Sequence, residues 1–174
     1  MTLALFAAVT FVLMGIEARR AAVNERAQRA ASGFEPAGDV YSLMQVAYPG
    51  AFLAMFLEGA VRGGAPVSAA AAGAAVFALA KALKWWAILT LGRAWTFRVI
   101  VVPRARLVAT GPYRFMRHPN YLGVIGELVG AALITGAWIA GPITTIGFAM
   151  LILKRIQVEM RALSRFATLG RPEL

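Results

Sequence analysis

Residues Pro119 to Leu153, PNYLGVIGELVGAALITGAWIAGPITTIGFAMLIL, contain a single charged side chain, Glu127. The stretch is too long for one membrane crossing, because a helix rises about 1.5 Å per residue and the hydrocarbon core is about 30 Å thick. Breaks fall at Gly136 and at Gly141-Pro142. Two antiparallel helices joined by a tight turn are expected. The second should run on through Lys154, Arg155 and Glu159 until Gly170-Arg171-Pro172 stops it. A hairpin returns the chain to the side it left. His118, just before the first arm, and Arg155 with Glu159, at the end of the second, are therefore expected to meet on one side of the bilayer.

The rest of the chain is built in the same way. It has 174 residues, of which 60% are hydrophobic, and the apolar residues come in blocks. One compact membrane domain, residues 1–174, fits that length and composition. There is no cysteine, and one histidine with eight acids leaves little material for a metal site, so none is expected. The net charge is +10. The cations flank apolar blocks, which reads as membrane topology and attraction to anionic lipid rather than binding to nucleic acid.

Met1 to Ile16 carries no charge and reads as a first span. A signal peptide is disfavoured because no Lys or Arg precedes the apolar part. Asn24 to Asp39 reads as a loop. Val40 to Leu57 is a second span, with a kink expected at Pro49-Gly50, and Glu58 to Gly64 reads as a turn. Ala65 to Gly92 is a third. In it Lys81 and Lys84, followed by Trp85 and Trp86, read as snorkelling and headgroup-level markers of an interface. The run Ala69 to Ala75 suits close helix packing. Arg93 to His118 holds six arginines and no acid. Within it Thr96 to Val102 is β-branched and extended in character, and Thr110-Gly111-Pro112 reads as a turn.

The expected fold is thus all-α, an integral membrane protein of about five spans, with three helices in 1–92 and the connection, hairpin and tail in 93–174. Arg19, Arg20, Arg26 and Arg29 lie in the first loop, and Lys154, Arg155, Arg161, Arg165 and Arg171 lie in the tail. With the six arginines of the third connection, they place the N-terminus outside and the C-terminus in the cytoplasm. A bacterial cytoplasmic membrane is the expected location, from the Ala- and Arg-rich usage.

Pro119 suits the first turn of a helix, whose free N–H groups and dipole would attract a carboxylate or phosphate at His118. Arg106, Arg114 and Arg117 add positive potential, and Glu159 could face an ammonium. Tyr113 and Tyr121 could pack on a flat ring or fix a polar group. Blander readings stand beside these. His118 could cap the helix, Arg155 and Glu159 could form a local ion pair, and the tyrosines could be interfacial anchors. Glu127 lies about two turns into its span. A carboxylate in hydrocarbon costs a few kcal/mol, so it should bond Thr, Tyr or Trp of another helix, or meet a substrate's polar head as a contact or a base.

Three motifs occur in order: Leu107-Val108-Ala109-Thr110-Gly111-Pro112-Tyr113, Arg117-His118-Pro119-Asn120-Tyr121-Leu122-Gly123, and, after the hairpin, Arg155-Ile156-Gln157-Val158-Glu159. Together they resemble the isoprenylcysteine carboxyl methyltransferase family, which shares a superfamily with membrane phospholipid N-methyltransferases. The similarity runs from about Pro103 to Phe166. It implies S-adenosylmethionine as cofactor, bound at the cytoplasmic end of the last helices by Leu107, Val108, Tyr113, His118, Pro119, Asn120, Tyr121 and Glu159. Arg155 matches the family's arginine linked to substrate and catalysis. Two departures are Met160, where many members repeat the acid, and the degenerate Phe166-Ala167-Thr168-Leu169-Gly170. The implied reaction is methylation of a lipophilic small molecule that enters from the membrane, on a carboxylate or on a phenol or enol. A phenol or enol would need Glu127 or His118 as base. Amine N-methylation, an NADPH-dependent reductase and a non-enzymatic membrane subunit are the alternatives.

Overall fold

The structure is a computed structural model that describes residues 3–103 and 108–169, with side chains through 162. It contains five helices: α1 (Leu3–Ala30), α2 (Tyr41–Arg62), α3 (Val67–Leu91), α4 (Pro119–Thr135) and α5 (Ala140–Leu169). Single 3-10 turns occupy Gly92–Ala94 and Gly111–Arg114. Among the described residues the extended backbone amounts to one antiparallel bridge, Phe34 to Val101. The β-branched character of 96–102 is therefore expressed as a two-residue pairing rather than a strand.

Helix boundaries follow local chemistry. Pro119 opens α4, and Gly136 closes it in the left-handed region at φ 72°, with its N–H bonded to the carbonyl of Ala132. Four residues later α5 begins, and the Glu58 carboxylate accepts from the backbone N–H of Ile139 at 3.1 Å and of Ala140 at 2.6 Å. A carboxylate there satisfies orphan amides and faces the positive end of the α5 dipole. Gly141 and Pro142 lie inside the first turn of α5 and do not break it. Nor does Pro49 end α2, which runs on to Arg62. α1 likewise continues to Ala30, so the first connection is shorter than the sequence suggests: the polar Asn24 and Gln28 are helical and turned inward.

α3 and α4 pack backbone against backbone. A Cβ placed on Gly123 would lie 2.8 Å from Lys84 Cβ, on Gly126 2.6 Å from Ala80 Cβ, and on Gly130 2.7 Å from the Phe77 amide nitrogen. The spacing of these three glycines puts them on one face of α4, and small residues permit such an approach without water-driven collapse. The apolar core between α1, α2, α3, α4 and α5 includes Phe6, Phe52, Met55, Phe77, Leu128 and Phe148. Phe6 meets Phe56 and Phe77 edge to face, at centroid separations of 5.6 and 5.1 Å.

Among the described residues two helical stretches, Tyr41–Arg62 and Val67–Ala94, are long and apolar enough to cross a membrane; α4 is apolar but shorter. α2 leaves Leu43, Val46, Leu53, Leu57 and Val61 exposed, an outward apolar face that water would not favour.

The expectation that Lys81 and Lys84 snorkel to an interface is overturned. Lys84 is 2% exposed, and both lysines point into the bundle. Lys84 Nζ lies 2.6 Å from Glu17 of α1 and 3.2 Å from Glu127 of α4. Lys81 Nζ lies 3.1 Å from Glu17 and 2.8 Å from Glu127. Two cations and two anions cancel inside the bundle, and this pairing makes their burial tolerable. Tyr48 of α2 donates its hydroxyl to Glu127 Oε2, so four helices share the cluster.

Candidate functional site

α4 and α5 are the two arms of the hairpin, and their facing ends bring the second and third motifs together. Arg155 of α5 donates from Nε to the hydroxyl of Tyr121 on α4 at 2.9 Å. At the N-cap of α4, three residues earlier, the imidazole of His118 stacks on the Tyr121 ring, with centroids 5.5 Å apart and planes inclined by 24°. His118, Tyr121 and Arg155 thus form one continuous polar edge.

The histidine occupies the N-cap position but makes no side-chain capping bond. Its carbonyl closes the first turn, accepting from the N–H of Tyr121 at 3.1 Å. The side chain is left to the tyrosine ring, so the capping reading of His118 does not describe it.

The local Arg155–Glu159 pair is also not what forms. The guanidinium is 5% exposed and turns inward. Its Nη1 lies 3.4 Å from Asp39 Oδ1. Asp39 Oδ2 accepts from the backbone N–H of Val99 at 2.9 Å. One buried carboxylate therefore ties the α1–α2 connection, the 96–102 segment and α5 to one another. Sequence reading missed Asp39. It sits in a turn-rich stretch where an aspartate is ordinary, and its partner is 116 residues away.

The same connections are fastened a second time nearby. Arg98 Nη1 lies 2.9 Å from Glu35 Oε1, and its guanidinium lies over the Tyr41 ring at 4.4 Å. Burial pulls the Glu35 carboxyl upward, but Arg98 and Arg29 outweigh it and hold the group below the usual carboxylate range.

Tyr113 stands in the 3-10 turn Gly111–Arg114. Gly111 has φ 57°, and a Cβ there would lie 2.5 Å from Thr90 Oγ1, so the glycine lets the turn seat against α3. Burial pushes the Tyr113 phenol well above its ordinary range, and the negative charge of Glu159 adds to the shift. Glu159 lies one turn beyond Arg155 on α5. Val108 is half-buried ahead of the turn. Pro119 is buried at the start of α4. Asn120 accepts at Oδ1 from the Trp95 indole N–H at 3.4 Å. Leu107 and Arg106 lie outside the described residues.

Glu127 stands apart. It lies six residues, about 9 Å of helix, beyond Tyr121. Its oxygens face Tyr48, Lys81 and Lys84, which is the interhelical arrangement rather than a contact with Arg155.

The edge joined by these contacts carries a guanidinium held by Tyr121 and Asp39 and the stacked rings of His118 and Tyr121, while the N–H of Asn120 is left at the start of α4, since Pro119 has none and those of Tyr121 and Leu122 bond the His118 carbonyl. Such a set can stack against a flat ring and steer an anion towards Arg155.

Residues 73–165 match the isoprenylcysteine carboxyl methyltransferase (ICMT) family. The chain is 36% identical over 94 residues to the uncharacterized protein YpbQ of Bacillus subtilis (strain 168), covering 54% of this chain and 56% of that one. It is 24% identical over 164 residues to an uncharacterized protein of Haemophilus influenzae, covering 94% and 93%. It is 34% identical over 101 residues to protein-S-isoprenylcysteine O-methyltransferase B of Arabidopsis thaliana, covering 54% and 49%. The chain thus spans about half the length of the Bacillus and Arabidopsis relatives. No solved structure matches. The family segment begins within α3, well before the first motif, and so takes in the two buried lysines as well as the hairpin. With more than half of its length matched and its three motifs in order, this chain belongs to the isoprenylcysteine carboxyl methyltransferase family.

Proposed function

We propose that the chain is a membrane methyltransferase that uses S-adenosylmethionine to methylate a lipophilic small molecule on oxygen. The observation that carries this reading is the Arg155–Tyr121 bond, which joins the motif at the start of α4 to the motif on α5 in a chain of this family.

The donor set fits the cofactor. Glu159 suits its ammonium, the Asn120 N–H at the positive end of α4 suits its carboxylate, and Tyr113, His118 and Tyr121 suit a purine. When bound, the cofactor supplies an electrophilic methyl group. The chain supplies position. Arg155, held from two sides by Tyr121 and Asp39, orients an acceptor carboxylate, which needs no base. Tyr113 stays a neutral phenol and keeps a hydrogen to donate. Glu127 belongs in this reading to the helix-joining cluster. The site faces the cytoplasm, and the acceptor enters sideways from the bilayer.

The test is to supply methyl-deuterated S-adenosylmethionine to membranes with and without the protein. A labelled species in the lipid extract that depends on the protein supports the reading. No labelled product, together with retention of NADPH by the purified protein, would replace it with a reductase.

A further inference from the structure

On the same end of the bundle as Arg155, α1 and α3 leave a groove of about 470 Å³ between them. Its walls are Ile16 and Val23 of α1 and Trp85 of α3, and its rim carries Arg19, Arg20 and Arg93. No acid lines it.

The groove is held together by bonds that serve no other element. Asn24 Nδ2 donates to the carbonyls of Gly92 at 2.9 Å and Trp95 at 2.7 Å, and Gln28 Nε2 donates to the carbonyl of Arg93 at 2.9 Å. Both amides are buried. They pin the Gly92–Ala94 turn, with Arg93, against the helix that bears Arg19 and Arg20. Nearby acids are engaged elsewhere: Glu17 by Lys81 and Lys84, Glu25 and Glu35 by Arg98. Among the described residues, none of the three arginines has an acidic partner.

Ile16 and Val23 are 48% and 56% exposed, so the groove offers apolar surface directly beneath its cations. The neighbouring Trp86 is half exposed, as indoles at headgroup level are. Three guanidiniums match the oxygens of a phosphodiester, and the aliphatic walls match an acyl chain. A choline or ethanolamine head would set its cation against the arginines with no carboxylate to receive it. We propose that this groove is a binding site for an anionic phospholipid, with the phosphodiester on Arg19, Arg20 and Arg93 and a chain over Ile16 and Val23.

The purified full-length protein is titrated in mixed micelles with phosphatidylglycerol or phosphatidylcholine, each brominated on its acyl chains, and indole fluorescence is followed. Phosphatidylglycerol is expected to quench at lower mole fraction, and each arginine changed to glutamine should reduce that preference about fivefold. Arg26→Gln, on α1 but outside the groove, should leave the preference as it was. Equal quenching by the two lipids overturns the proposal, as does an equal loss in Arg26→Gln. Displacement of the brominated phosphatidylglycerol by millimolar inorganic phosphate would also overturn it, since the groove would then read an anion rather than a lipid.

Discussion

The hydroxyl of Tyr121 lies 2.9 Å from Nε of Arg155, so the first turn of α4 and the middle of α5 share a hydrogen bond to a charged group. Tyr121→Phe removes that acceptor and keeps the ring on which His118 stacks. A bond of this kind is worth about 1.5–3 kcal/mol. Turnover of the labelled methyl group is expected to fall about 10- to 100-fold, while cofactor affinity stays near that of the parent. Calorimetric binding set beside turnover separates the two. Unchanged turnover would mean that Tyr121 does not position Arg155.

Asp39 holds the same guanidinium from the other side and also takes the N–H of Val99. Asp39→Ala should therefore have two effects at once. Methyl transfer drops, because Arg155 is no longer fixed, and the Val99 amide exchanges with solvent faster, because its acceptor is gone. Hydrogen exchange read by mass spectrometry checks the second effect without any activity assay. Loss of activity with no change in exchange at Val99 would detach Asp39 from the 96–102 segment.

Much of this architecture is legible in the sequence. Gly136 marks the end of α4, Pro119 its start, and the hairpin brings Arg155 to Tyr121, on whose ring His118 stacks, because these are properties of local backbone chemistry and chain reversal. Lys81 and Lys84 were illegible for a different reason. A lysine next to two tryptophans is the same string whether it reaches out to headgroups or inward to Glu17 and Glu127, and only helix rotation decides. Asn24 and Gln28 read as loop residues because their partners, the carbonyls of Gly92 to Trp95, are backbone atoms of a distant segment. The close seating of Gly123, Gly126 and Gly130 on α3 was not read from the sequence, because which helix a glycine admits is a matter of tertiary packing.

That packing has a direct test. Gly130→Ala would put a methyl group 2.7 Å from the Phe77 amide nitrogen, with backbone on the receiving side and no flexible tip to yield. Overpacking of this sort costs about 1–3 kcal/mol. Gly147 on α5 has nothing within 4 Å of its Cβ position. Gly147→Ala should be neutral or slightly stabilising, since alanine favours helix. Thermal unfolding in detergent should rank Gly130→Ala lowest. Equal midpoints for the two variants would show that α3 and α4 are further apart than described.

Acid should loosen the α1–α2 connection. Burial raises Glu35, but Arg98 and Arg29 more than reverse this, so its folded pKa lies below the ordinary value of 4.5. A depressed carboxyl contributes stability that is fully present above the unfolded value and is lost as pH falls through the folded one. Proteolysis within 31–40 is expected to rise as pH falls below about 4.5, and Glu35→Gln should be equally sensitive at neutral pH. A parent connection that resists cleavage throughout that acid window would remove Glu35 from the account.

The buried cluster makes the sharpest demand on stability. Lys84 sits between Glu17 and Glu127, and Lys81 closes the set so that charges balance. Lys84→Met leaves two carboxylates to share one lysine in the apolar interior. Removing one partner of a buried pair costs about 3–5 kcal/mol, because the other is left uncompensated. Glu127→Gln should also destabilise, for the opposite reason: two lysines then face one acid. The double variant restores balance, with Lys81 facing Glu17 and a methionine beside a neutral amide. It should therefore be more stable than the sum of the single losses requires, and a double-mutant cycle on unfolding midpoints reads that coupling directly. The cluster also separates two roles for Glu127. If the carboxylate only joins helices, the double variant regains methyl transfer along with stability. If stability returns and turnover does not, Glu127 also acts on the acceptor.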